Sequence, residues 1–148
     1  MSDVRTMSAA EIGRAIGRGD LDPVAVTETF LSAASAHPAG DRIYARMTEE
    51  RALAEAEAAS KRAKAKQRVS PLDGVPLSWK DLFDTAGVAT ESGSRLLEGR
   101  VPGHDADVLK NATAQGLVCL GKTHMTELAF SGLGPIPRSP KSPRSITQ

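Results

Sequence analysis

The stretch that most constrains this chain runs from Ser70 to Asp81, where a polar turn, Ser70-Pro71-Leu72-Asp73-Gly74, leads directly into an apolar segment ending in Lys80 and Asp81. Proline presets φ and glycine tolerates φ > 0, so Pro71 and the Asp73-Gly74 pair are turn chemistry. A strand then begins at Val75 or Pro76, where proline is not yet asked for a ladder hydrogen bond. Alternation sends Val75, Leu77, Trp79 and Asp81 to one face and Pro76, Ser78, Lys80 and Leu82 to the other. Lys80 therefore points away from Asp81. A lysine used as a base must be neutral; its pKa of about 10.4 falls on apolar burial and rises beside a carboxylate. The alternation permits such a buried base at Lys80, and an ordinary strand end reaching solvent has the same spacing.

At 148 residues and 40% hydrophobic content the chain has the size and core-forming capacity of one ordinary domain. Nineteen basic and 18 acidic residues leave a net charge of +1, so no global field favours nucleic acid or an anionic membrane. A lone cysteine, Cys119, excludes an internal disulfide or a cysteine-cluster metal site and suits a reducing compartment. The polar amino terminus lacks a signal-peptide core, and no apolar run approaches the roughly 18 residues of a membrane span. The expectation is a soluble, cytoplasmic protein without cofactor.

Upstream of the central stretch the pattern is helical. Ser8-Ala9-Ala10-Glu11 has the capping-box form, with Ile12 and Ile16 at helical spacing as far as Arg18. Asp22-Pro23 opens a second helix carrying Val26, Phe30 and Leu31 to about Ala36, stopped by His37-Pro38-Ala39-Gly40. Ile43 to Met47 alternates as a short strand, and Thr48 to about Gln67 is an alanine-rich helix with acids early and bases late, as the helix dipole favours. The late bases form a solvated helix end with no aromatic interleaving to stack nucleic acid bases.

Downstream, 82–94 is rich in turn formers and hydroxyls. Asp105 is placed to N-cap a helix from Ala106 to about Gln115, with Val108 and Leu109 as its apolar face and Gly116 as its stop. Leu117 to Lys122 is a continuous apolar run of the buried-strand kind, with Cys119 a small core residue within it. Strand, helix, strand with polar loops at the strand ends is the grammar of an α/β sheet, on which ligands collect where strands end.

Pro71-Leu72-Asp73-Gly74-Val75-Pro76, Lys80-Asp81-Leu82-Phe83-Asp84, Ala86-Gly87, Gly93-Ser94 and the run from Gly121 to Gly134 resemble, in order and spacing, the amino-terminal third of the amidase signature family. The close match covers about 70–134. The resemblance implies an α/β fold, here an incomplete amino-terminal portion of a large mixed-sheet α/β/α amidase fold. It divides the chain into a partial amidase-signature domain, 1–134 (helical over 1–68, lysine motif and α/β part over 69–134), and a Pro/Ser/basic tail, 135–148. It implies hydrolysis of amide C–N bonds in small substrates by a Ser-Ser-Lys relay, with Lys80 in the place of the catalytic lysine and a small-molecule amide as partner. Met125 and the Phe130-Ser131-Gly132 turn become candidates for lining the substrate cavity; core packing is the alternative for Met125 and Phe130. His124 stands where asparagine is common and takes no catalytic role.

The bridging serine of the family's Gly-Ser-Ser-Gly-Gly stretch and the nucleophilic serine beyond it have no matching position. After Gly134 the residues change character, with four of the nine prolines, three bases and no acid in 135–148. Such a segment reads as a disordered tail. The expectation is a truncated amidase, through a frameshift or early stop, inactive alone. A chain carrying only the first strands of a large sheet is also expected to be marginally stable and to self-associate through uncovered edges. The alternatives are a fragment like the A-subunit of a tRNA-dependent amidotransferase and a non-catalytic partner module. The first is disfavoured because Asp81 is followed by Leu82 rather than asparagine, and Ser92-Gly93-Ser94 stands in place of Cys-Ser-Lys.

Overall fold

Ser8 opens the first helix through a complete capping box, its hydroxyl accepting the Glu11 N–H while the Glu11 carboxylate accepts the Ser8 N–H at 2.7 Å. The structure, a computed structural model, describes residues 3–132. Helix α1 spans Ala9–Arg18, and α2 spans Pro23–Ala36 with Asp22 as N-cap and proline in the first turn. A short α3, Gly40–Ile43, follows the breaker cluster and leads into strand β1, Tyr44–Met47. Helix α4 spans Glu49–Lys64, β2 Pro76–Lys80, α5 Asp107–Ala114 and β3 Val118–Thr123. The proposed tail over 135–148 lies outside the described residues.

The sheet has the order β1-β3-β2, antiparallel between β1 and β3 and parallel between β2 and β3. Its central strand is the continuous apolar run, buried from Val118 to Lys122. Val118 and Leu120 pack against Leu31 of α2 and Ala52 and Ala56 of α4. Those alanines are completely buried, so α4 lies close on the sheet because its contact face carries only methyl groups. Ile12 and Ile16 of α1 join Val26 and Val75 in a second cluster. Cys119 joins Leu109 of α5 and Trp79 of β2 in a third, with the Trp79 and Phe83 rings edge to face at 5.5 Å between centroids.

The predicted turn before β2 is built as expected, and it depends on two glycines, Gly74 within it and Gly116 between α5 and β3. Gly74 (φ +87°) and Gly116 (φ +83°) both lie in the left-handed region, and the Gly74 N–H donates to the Gly116 carbonyl at 2.8 Å. A Cβ at Gly74 would stand 2.7 Å from the Pro23 ring, and one at Gly116 would stand 2.2 Å from Asp73 Oδ1.

Three local expectations are corrected. Asp105 does not cap α5, whose N-cap is Ala106 without a side-chain bond. Its carboxylate instead accepts two N–H groups of Arg51, each at 2.8 Å, and the Ala86 N–H at 2.8 Å. A bidentate, charge-assisted pair outcompetes a single peptide N–H. Of the α5 apolar pair, only Leu109 is buried; Val108 is exposed. Alternation along β2 also fails once: Val75, Trp79 and Asp81 are buried, but Leu77 is partly in solvent, where the register with β3 shifts between Leu77 and Ser78.

Candidate functional site

Lys80 closes β2 opposite Thr123 of β3, at the strand end where ligands of α/β sheets collect. Its side chain is exposed. The buried environment that the alternation permitted is therefore not built by the described residues, among which no further strand lies beside β2.

Asp81 is the buried neighbour of this exposed lysine, and several groups hold its backbone and its carboxylate. Its N–H donates to the Thr123 carbonyl at 3.0 Å and its carbonyl accepts the Ser92 N–H at 3.1 Å. Oδ2 accepts the Glu91 N–H at 3.2 Å and an Arg46 N–H at 3.4 Å. Oδ1 lies 3.1 Å from Lys122 Nζ. Arg46 also pairs with the Glu91 carboxylate.

Lys122, which closes the Leu117 to Lys122 run and falls within the Gly121 to Gly134 match without a role of its own, is fully buried. Its ammonium meets Asp81, the Thr90 hydroxyl and, at 3.4 Å, the Ala89 carbonyl. Burial pushes its pKa below the ordinary lysine value, while the hydrogen bond and charge of Asp81 pull it back up. The signal that finds it is its position at the end of the apolar run: a lysine on the central strand has no route to solvent.

The loop after Lys80 is fastened at several points. Asp84 makes a bidentate pair with Arg100 at 2.6 and 2.7 Å, and Arg100 holds its carboxyl below the usual range. Ser94 Oγ donates to Glu127 at 2.7 Å, and the Leu128 N–H donates to the Ser92 carbonyl at 2.8 Å. These bonds clasp 92–94 against the segment from Met125 onward, where a Cβ at Gly93 would stand 2.7 Å from the Met125 carbonyl. Leu128 (φ 49°) and Ala129 (φ 58°) both sit in the left-handed region, a strained pair held in place by the clasp.

Of the proposed substrate-lining residues, Met125 is buried behind Gly93, whereas Phe130, Ser131 and Gly132 lie in solvent, Phe130 at 95% exposure. The Ser131 carbonyl accepts the Thr126 hydroxyl at 2.5 Å. His124 Nε2 meets the Asp41 carbonyl at 3.0 Å, remote from any charge relay. Two surface depressions, of about 370 and 580 Å³, lie over α1 and α2, and neither is lined by Lys80.

Residues 25–139 match the Amidase family model, which is most of the chain. The chain belongs to the Amidase family. Among relatives of this Amidase-family chain, the A-subunit of glutamyl-tRNA(Gln) amidotransferase from Streptomyces coelicolor is 41% identical over 130 residues, covering 88% of the chain and 26% of the relative. The protein of the same name from Thioalkalivibrio sulfidiphilus is 40% identical, covering 82% and 25%. The crystal structure of a peptide amidase from Stenotrophomonas maltophilia superposes with a TM-score of 0.75 at 29% identity, over 82% of this chain and 25% of that one. The Amidase-family chain thus spans about a quarter of the length of the relatives it matches. Its small mixed sheet is part of the larger α/β fold of those enzymes.

Proposed function

We propose that this chain supplies the lysine of an amide-hydrolysing Ser-Ser-Lys site, with Lys80 as its base. The observation that carries the reading is the placement of Lys80: it ends a strand after the matched Pro71 to Pro76 turn, and the carboxylate of Asp81 is turned away from it into the interior. In the relay, the neutral Lys80 amine takes the proton of a bridging serine, which in turn deprotonates a nucleophilic serine attacking the amide carbonyl. Neither serine has a match in the 148 residues. The chain alone is accordingly expected to give no turnover. Met125, Phe130, Ser131 and Gly132 are proposed to line the path of a small amide, with Phe130 free to pack on it.

The test is a chimera in which 70–132 replace the corresponding segment of the Stenotrophomonas maltophilia peptide amidase. Loss of general-base function costs on the order of 10²–10⁴ in rate, so Lys80→Ala should lower amide hydrolysis by at least about a hundredfold. Activity that survives the substitution rejects Lys80 as the base. For the 148-residue chain by itself, turnover of an aryl amide that vanishes in Lys80→Ala would overturn the expectation that it is inactive alone.

A second reading, a piece resembling the A-subunit of a tRNA-dependent amidotransferase, is favoured by the identity to relatives of that name. Against it stand Leu82 and Ser92-Gly93-Ser94, and the near-neutral charge gives tRNA no electrostatic footprint. A gel-shift titration separates the two: the first reading expects no saturable tRNA complex. We also place the protein in the cytoplasm, in keeping with its single, buried free cysteine. No helix among the described residues is long and apolar enough to cross a membrane.

A further inference from the structure

We propose that Lys122 is a positioning residue for Lys80, acting through Asp81: the buried pair anchors the end of β2 and neutralises the one carboxylate adjacent to Lys80 in sequence. The inference rests on the reading of Lys80 as the base.

The geometry is a lock built around Asp81. Lys122 pairs with Trp79 in the parallel ladder, so the two lysines lie on neighbouring strands one residue apart in register. Asp81 is bonded through its N–H to β3, through its carbonyl to Ser92, and through its carboxylate to Lys122 of β3, Arg46 of β1 and Glu91 of the following loop. A backbone held at so many points leaves Lys80 few ways to move at its Cα. The side chain alone then sets where the amine goes.

Charge supplies the second half. Burying an ammonium and a carboxylate costs several kcal/mol each before they attract one another, and apolar residues of similar size commonly hold a fold equally well. An unpaired Asp81 carboxylate beside Lys80 would favour the ammonium form, which cannot act as a base. With Lys122 and Arg46 against it, the carboxylate has no charge to spare. Among the described residues, Glu91 is paired with Arg46 and Asp84 with Arg100.

Lysine side-chain resonances of the 148-residue protein, followed by NMR as pH is raised, test the proposal without requiring turnover. Lys122→Met leaves the Asp81 carboxylate with Arg46 alone against it and should raise the Lys80 midpoint relative to the wild-type protein. Lys122→Arg should leave the midpoint in place. Asp81→Asn leaves the Lys122 charge uncompensated and should move the midpoint down. The double variant, with neither charge, should return it toward the wild-type value. Lys110, distant in the fold on α5, is the internal reference. If Lys122→Met does not fold, Asp81→Asn decides. A Lys80 midpoint that stays put in a folded single variant, or that moves the same way in both, overturns the proposal, since a merely structural role would not produce opposite shifts. Failure of the base assignment is visible separately, as chimera activity surviving Lys80→Ala, and leaves the titration result standing.

Discussion

Asp73 shows how much of the matched turn depends on a single side chain. Its buried carboxylate accepts two N–H groups of Arg62, at 2.8 and 2.6 Å, and the Val69 N–H at 3.0 Å. Arg68 closes the same turn from the other side, donating to the Pro71 and Asp73 carbonyls at 3.0 Å each. Asp73→Ala strands a partly buried guanidinium and a peptide N–H, and is expected to cost about 3 kcal/mol in urea unfolding. Gly116→Ala brings a methyl group against the same carboxylate at a backbone angle that disfavours it, and should cost about 1–3 kcal/mol. An unchanged urea midpoint in either variant would show that the turn is held elsewhere. The Asp73-Gly74 turn is legible from residue types alone. Its three-way anchoring is not, since Arg62 and Gly116 are brought to it only by the packing of α4 and β3.

At the scale of elements, Arg51 ties the layers together. From α4 it pairs with Glu55 on the same helix and with Asp105 ahead of α5, while Asp105 accepts the Ala86 N–H of the long loop. The Arg51 hydrogen bonds hold the Asp105 carboxyl below its ordinary range, more than offsetting the upward push of burial. A carboxylate with a lowered folded pKa stabilises the fold above its unfolded pKa of about 3.9, and that contribution is lost as pH falls through the folded value. Asp22 and Asp84 are lowered in the same direction, by Ser60 and Arg100. Urea midpoints measured against pH should therefore fall on acidification below about 4. Arg51→Met should flatten that acid limb, and an unaltered slope would remove Arg51 as its cause. Helix positions are legible because capping and periodicity are local. The role of Asp105 is not, because local pattern assigns it to the nearest peptide N–H, whereas a guanidinium from α4 takes it.

For the whole molecule, the decisive feature is a sheet with β1 and β2 at its edges, together with Leu96, Phe130 and Leu128 in solvent at 85%, 95% and 51% exposure. Exposed edges and apolar side chains favour association. Sedimentation velocity across a hundredfold concentration range should show species larger than a monomer, accompanied by a broad thermal transition. A sharp, concentration-independent melt of a monomer would count against this. What the sequence determined unaided is the order of elements, the turn before β2, the buried central strand and the family, because each is written in residues near one another in the chain. Only the tertiary structure decided that Lys80 is exposed while Lys122 is buried. Lys80 ends β2 and Lys122 is the last residue but one of β3, and the two look alike in sequence; among the described residues β2 lies at the edge of the sheet and β3 at its centre, so solvent reaches the first and an ion pair must satisfy the second.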